Sequence, residues 1–128
     1  MKPTVVIAED DFVILEGALR PVVSPDFEIV RTVTDGEAAV AAAQELRPEV
    51  VLLDISLPRL RGFDAARKIL AAQPECKVLF VSNYWDTEYI QAAKEIGAGG
   101  YVFKTRIRSE LPAAIRTALA GDFYYSVR

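Results

Sequence analysis

Five short apolar runs, each followed by a segment of helical period, leave this chain few architectures. The first run, Thr4–Ala8, is β-branched and unalternating, as a strand buried on both faces should be. Residues 27–33 alternate and read as an edge strand. Residues 49–53 and 77–81 are again near-continuous, and Gly100–Phe103 is short and followed at once by Lys104. Between the runs, Thr34 and Glu37 fit a capping box, after which Ala39, Ala42, Ala43 and Leu46 recur at i, i+3, i+4 and i+7 before Pro48. Phe63, Ala66 and Leu70 mark a helix after Gly62. Ile90, Ala93 and Ile96 mark another, with Gly97 placed to end it. Leu111, Ala114, Ile115, Ala118 and Leu119 give the last helix the clearest stripe, with Pro112 expected in its first turn. The pattern is (βα)5, which implies a parallel sheet with helices on both faces and right-handed crossovers. A length of 128 residues suits one such domain, expected over 1–120, with 121–128 as a tail or the start of a linker.

In an open parallel sheet, ligands bind beyond the carboxyl ends of the strands. Glu9, Asp10 and Asp11 follow the first run, Asp54 the third, Ser82 and Asn83 the fourth, and Lys104 and Thr105 the fifth. Polar loop ends are ordinary, but here four strands end in complementary chemistry. Two carboxylates about 4 Å apart repel by roughly 4 kcal/mol at an effective dielectric near 20, so three on one edge call for a cation. The chain has no histidine and a single cysteine, which excludes imidazole catalysis, an imidazole zinc site and an internal disulfide. Oxygen ligands and a hard divalent ion such as magnesium remain.

A metal-neutralised Asp54 can attack phosphorus, with Lys104 pairing a phosphoryl oxygen and the Ser82 hydroxyl donating to another. No general base is needed, since a carboxylate is already ionised at neutral pH. Fifteen basic against eighteen acidic side chains leave a net charge of −3, so direct nucleic-acid binding by this chain is not expected. The apolar run after Met1-Lys2-Pro3 is too short for a signal peptide or a membrane span, and a cytoplasmic location follows as the expectation.

These residues resemble the receiver domain of bacterial two-component response regulators, over positions 4 to about 120. The marks are Glu9-Asp10-Asp11, Leu53 to Pro58 with Gly62, Val81-Ser82, and Gly97 through Lys104. The resemblance implies a flavodoxin-like, doubly wound α/β fold with strand order 2-1-3-4-5. It implies Asp54 as phospho-acceptor, and Glu9, Asp10, Asp54 and the Ser56 carbonyl around Mg2+. Ser82 is then the switch hydroxyl, Tyr101 the switch aromatic and Lys104 the phosphate-pairing lysine. A histidine kinase or histidine phosphotransfer protein would donate the phosphoryl group. The helix 4–strand 5–helix 5 surface would then pass the signal to an output domain or partner protein, and a homodimer is also compatible. The chain would be no enzyme beyond its own phosphoryl transfer and dephosphorylation. Glu16-Gly17, Ser82-Asn83-Tyr84 and Gly121 to Tyr124 are similar to the subgroup with LuxR-type helix-turn-helix output domains, which would make transcription the output of a longer parent.

Thr105 stands where receivers often carry a proline with a cis bond, and a trans bond is expected here. Arg59 and Arg61 replace small or acidic residues, either to attract an anionic donor or as solvated side chains. In the first helix, Val13, Ile14, Gly17 and Ala18 are expected to face the sheet. That leaves Phe12, Leu15 and Leu19 as an exposed apolar stripe for a kinase or phosphotransfer partner. A constitutive adaptor that is never phosphorylated is the main alternative. A flavin or nucleotide enzyme is disfavoured, because no glycine-rich loop follows the first run.

Overall fold

A computed structural model describes residues 1–128. Strands β1 (Thr4–Ala8), β2 (Glu28–Val33), β3 (Val50–Leu53), β4 (Lys77–Ser82) and β5 (Gly100–Phe103) alternate with five helices. The helices are α1 (residues 12–23), α2 (Gly36–Leu46), α3 (Gly62–Ala72), α4 (Thr87–Glu95) and α5 (Ile107–Leu119). The sheet differs from the expected five strands by one addition. Tyr124–Tyr125 forms β6, parallel to β5, and the order is β2-β1-β3-β4-β5-β6. Residues 124–125, within the expected tail or linker start at 121–128, thus extend the sheet.

Alternate residues of the inner strands feed two cores, as a sheet covered on both faces requires. Val6, Val51, Leu53, Phe80 and Tyr101 pack under α2, α3 and α4. Val5, Leu52, Leu79 and Val102 pack under α1 and α5. Several helix ends differ from the sequence reading by a residue or a turn. Asp35 rather than Thr34 caps α2, accepting from the Ala38 amide at 2.7 Å. Pro112 lies in the second turn of α5, because that helix begins at Ile107. Gly97 ends α4 as expected, at φ 90°.

The larger correction concerns α1. Its expected exposed stripe does not exist, for Leu15 and Leu19 are buried at 7% and 1% exposure, while Phe12 and Val13 stand out at 73% and 75%. Residues Leu15–Leu19 form a π-helical turn, with the Arg20 amide donating to the Leu15 carbonyl. Leu15, Leu19 and Val23, four apart, share one face of the helix and all reach the sheet. The 3.6 period groups Leu15 with Leu19 correctly, but of the two apolar sides it is theirs, not that of Val13 and Gly17, that faces the sheet. Leu15→Ala should accordingly cost about 2–5 kcal/mol in urea unfolding. Phe12→Ser should stay within about 0.5 kcal/mol.

Strand β6 is fixed by side chains as well as by its ladder. Glu110 Oε1 accepts from the Tyr124 hydroxyl at 2.9 Å and from the Ser126 hydroxyl at 2.7 Å, and Oε2 meets Arg106 at 2.8 Å. Burial works to raise the Glu110 acid, but the bonds from Ser126, Arg106 and Tyr124 outweigh it and hold the acid below its ordinary value. A depressed folded-state value contributes stability above the unfolded value, lost as pH falls through the folded one. The stability difference between the parent and Glu110→Gln should therefore shrink as the pH of urea unfolding is lowered below about 4.5.

Candidate functional site

Strands β1, β3, β4 and β5 are consecutive in the sheet, so the residues leaving their carboxyl ends converge. Ala8 is register partner to Leu53, Leu53 to Phe80, and Ser82 to Phe103. Strands β1, β3 and β5 end where their apolar runs end and the next side chain is polar, while β4 ends on Ser82 itself. Glu9 and Asp54 are anchored as the sheet continues one step beyond the ladder. The Glu9 amide donates to the Val33 carbonyl at 3.0 Å, and the Asp54 amide to the Ala8 carbonyl at 3.2 Å.

The lysine after β5 closes the pocket. Lys104 Nζ lies 3.0 Å from Asp54 Oδ2 and 3.0 Å from Glu9 Oε1, with side-chain exposures of 7%, 8% and 1% respectively. It reaches them without the proline of the family pattern: every peptide bond is trans, and Lys104–Arg106 form a 3₁₀ turn into α5. Burial alone would lower the Lys104 ammonium, but the Asp54 and Glu9 carboxylates outweigh it and hold it above its ordinary value. Burial lifts the Glu9 acid above the usual carboxylate range, with Lys104 and the Asp11 amide offsetting part.

Glu9, Asp10 and Asp54 bring carboxylate oxygens within 4.8 Å of one another, Asp10 being exposed at the mouth. Three negative charges face one ammonium. Glu9 Oε1 is buried with no hydrogen-bond donor aligned on it. This all-oxygen, electron-rich set fits a hard divalent cation. Ser56 lies on the same loop, its amide donating to Asp54 Oδ1 at 3.3 Å. Asp11, the third acidic residue of the run, is instead the cap of α1, accepting from the Val13 and Ile14 amides at 2.9 and 3.2 Å. Gly62 is required by close approach, since a Cβ there would sit 2.3 Å from the Asp54 carbonyl oxygen. Arg59 points away, 70% exposed and 3.7 Å from Asp35.

Ser82 and Tyr101 are both fully buried, and the exposed Tyr84 links them. The Tyr84 amide donates to Ser82 Oγ at 3.0 Å, and the Tyr101 hydroxyl donates to the Tyr84 carbonyl at 2.6 Å. The Tyr84 hydroxyl meets Ser56 Oγ at 3.3 Å. Burial pushes the Tyr101 phenol up to about 12, the nearby Ser82 hydroxyl offsetting part. The linking role of Tyr84 has no signature in periodicity; only its place two residues beyond Ser82 hints at it. Of the site residues read from sequence, Glu9, Asp54 and Lys104 meet directly, Asp10 joins the two acids at the mouth, the Ser56 amide reaches Asp54, and Ser82 and Tyr101 are linked through Tyr84. Leu15 and Leu19 are not on the surface at all, and Phe12 alone of its stripe is exposed.

The chain is similar to known proteins over most of its length. A family model described as the response regulator receiver domain matches residues 5–116. The transcriptional regulatory protein DegU of Brevibacillus brevis is 33% identical over 124 residues, which is 96% of this chain and 52% of that protein. The oxygen regulatory protein NreC of Staphylococcus aureus is 34% identical over 126 residues, 97% of this chain and 58% of that protein. A LuxR-family two-component response regulator from Aurantimonas sp. SI85-9A1 superposes with a TM-score of 0.88 at 26% identity, covering 97% of this chain and 89% of the other. The chain thus spans a little over half the length of these two curated relatives.

Proposed function

Because the chain belongs to the response regulator receiver family, we propose that its Asp54 accepts a phosphoryl group from a phosphohistidine on a partner kinase or phosphotransfer protein. Receiver domains interact with kinases and output domains, and they bind Mg2+ at an acidic pocket. The observation that carries the reading is the meeting of Asp54, Glu9, Asp10 and Lys104 in one crevice that leaves Asp54 8% exposed.

In the transfer, an Asp54 carboxylate oxygen forms a bond to phosphorus as the bond from phosphorus to the donor's imidazole nitrogen breaks. The electron pair leaves with the imidazole. Glu9, Asp10 and Asp54, with the Ser56 carbonyl, would hold a Mg2+ ion, which offsets charge growing on the phosphoryl oxygens. Lys104 is poised to leave Glu9 and pair with a phosphoryl oxygen as a compact point charge. Ser82 turns its hydroxyl toward another and gives up its bond from the Tyr84 amide. The acyl phosphate carries about −1.5 to −2 charges where the carboxylate carried one, a net gain of roughly −0.5 to −1 beside the loop that Tyr101 grips, and this biases the α4–β5–α5 surface.

Phe12 and Val13, exposed beside the crevice, are the apolar contacts left for the donor. No helix is long and apolar enough to cross a membrane. A cytoplasmic location, transcription as the output, and activity limited to the chain's own phosphorylation and dephosphorylation complete the reading. It is tested by intact-mass analysis after incubation with acetyl phosphate. One phosphoryl group is expected with Mg2+ present, and a fall of at least about tenfold in its rate of formation when EDTA removes the metal. An adduct indifferent to EDTA would sink the metal's role.

A further inference from the structure

The C-terminal residues touch the signalling surface at every level. Tyr125 is register partner to Tyr101 across the β5–β6 ladder. The Ser126 amide donates to the Tyr101 carbonyl at 2.9 Å, and the Phe103 amide donates to Ser126 Oγ at 3.1 Å. Phe103 is the residue before Lys104, whose ammonium holds Asp54. One peptide unit therefore separates the phospho-acceptor's partner from the segment's anchor.

The same segment roofs Tyr101. Phe123 and Tyr125 stack with centroids 6.1 Å apart, and Phe123 packs against the core that contains Tyr101 and Phe103. Arg128 lies over the Trp85 ring at 4.1 Å, tying the segment's end to the β4–α4 loop. That loop supplies the Tyr84 carbonyl gripped by the Tyr101 hydroxyl. Between α4 and the segment lies a cavity of about 420 Å³ lined by Trp85, Ile90, Phe103, Phe123 and Tyr125. Detaching the segment would make β5 an edge strand and open this side of Tyr101 to water.

We propose that residues 123–128 form a strap whose docking on β5 holds Tyr101 buried and is thereby coupled to phosphorylation at Asp54. This rests on the phospho-acceptor reading for its second half only. Phosphorylation draws Ser82 toward the phosphoryl group and favours a buried Tyr101, and a docked strap favours the same position. Coupling between two such events is reciprocal: whatever factor phosphorylation adds to strap docking, strap docking returns to phosphoryl-mimic affinity. The strap thus preloads the responsive state, and release of the segment would unload it.

Two measurements on the full chain test this. With beryllofluoride and Mg2+ as the phosphoryl mimic, NMR-detected amide exchange at Tyr124 and Ser126 should slow at least about threefold. In Ser126→Ala, which removes the hydroxyl shared by Phe103 and Glu110, those amides should exchange faster and mimic affinity should fall by a matching factor. Arg128→Ala should do the same more weakly. Without any mimic, mapped nitration of Tyr101 by tetranitromethane should be faster in Ser126→Ala than in the parent.

Unchanged Tyr101 nitration in a variant whose strap amides have loosened overturns the strap. Unaltered strap exchange in a parent chain saturated with the mimic overturns the coupling. Failure of the parent to bind the mimic at all counts against the phospho-acceptor reading and the coupling, and nitration then still decides whether the strap holds Tyr101.

Discussion

An Asp54→Asn chain incubated with acetyl phosphate and Mg2+ is expected to keep its mass, while the parent gains a single phosphoryl group. The expectation is specific to Asp54 because its acidic neighbours are otherwise engaged or differently placed. Glu9 is enclosed and paired with Lys104, which donates to its Oε2, and Asp11 is committed to capping α1. Asparagine keeps the size of the side chain and an oxygen to accept from the Ser56 amide. It removes the charge and the nucleophile. The effect should be all-or-none in mass spectra of the two proteins treated side by side. Uptake of a phosphoryl group by the variant, on Asp10 for instance, would contradict the assignment. Absence of an adduct on both chains would favour the constitutive adaptor, in which the same pocket serves only as architecture.

That the pocket could be read before the fold was seen has a physical cause. Each buried strand is a continuous apolar run, and its end is the first residue that sheet burial does not dictate. Glu9, Asp54 and Lys104 stand at those ends, so strand detection and site detection were one operation. What escaped the sequence was written in other terms. Strand β6 is two residues long, too short for any periodicity, and it is held by its ladder on β5 and by Glu110 bonding Tyr124 and Ser126. Both sides of α1 carry apolar residues, so a 3.6-residue period cannot say which one faces the sheet, and Leu15 and Leu19 stand in the core rather than on the expected surface. Tyr84 works largely through its backbone, and a backbone group has no residue type to recognise.

Replacing Lys104 by methionine should lower stability by about 3–5 kcal/mol when metal is chelated, because it strands two buried carboxylates without a counter-charge. That is a large part of the roughly 5–15 kcal/mol that holds a domain of this kind together. Methionine fills much of the same volume, so the loss measures charge rather than packing. Two rescues separate these causes. Mg2+ supplies positive charge to the same oxygens, and ligand binding to the folded state alone adds stability by mass action. The increment from saturating Mg2+ in urea unfolding should therefore be larger in Lys104→Met than in the parent. Adding Glu9→Gln to Lys104→Met removes one stranded charge, and it should recover part of the loss with EDTA present. A loss below about 1 kcal/mol, the scale of an exposed ion pair, would mean that water reaches Glu9 and Asp54 freely. A loss that neither Mg2+ nor Glu9→Gln repairs would trace it to packing, and the electrostatic account of the crevice would fail with it.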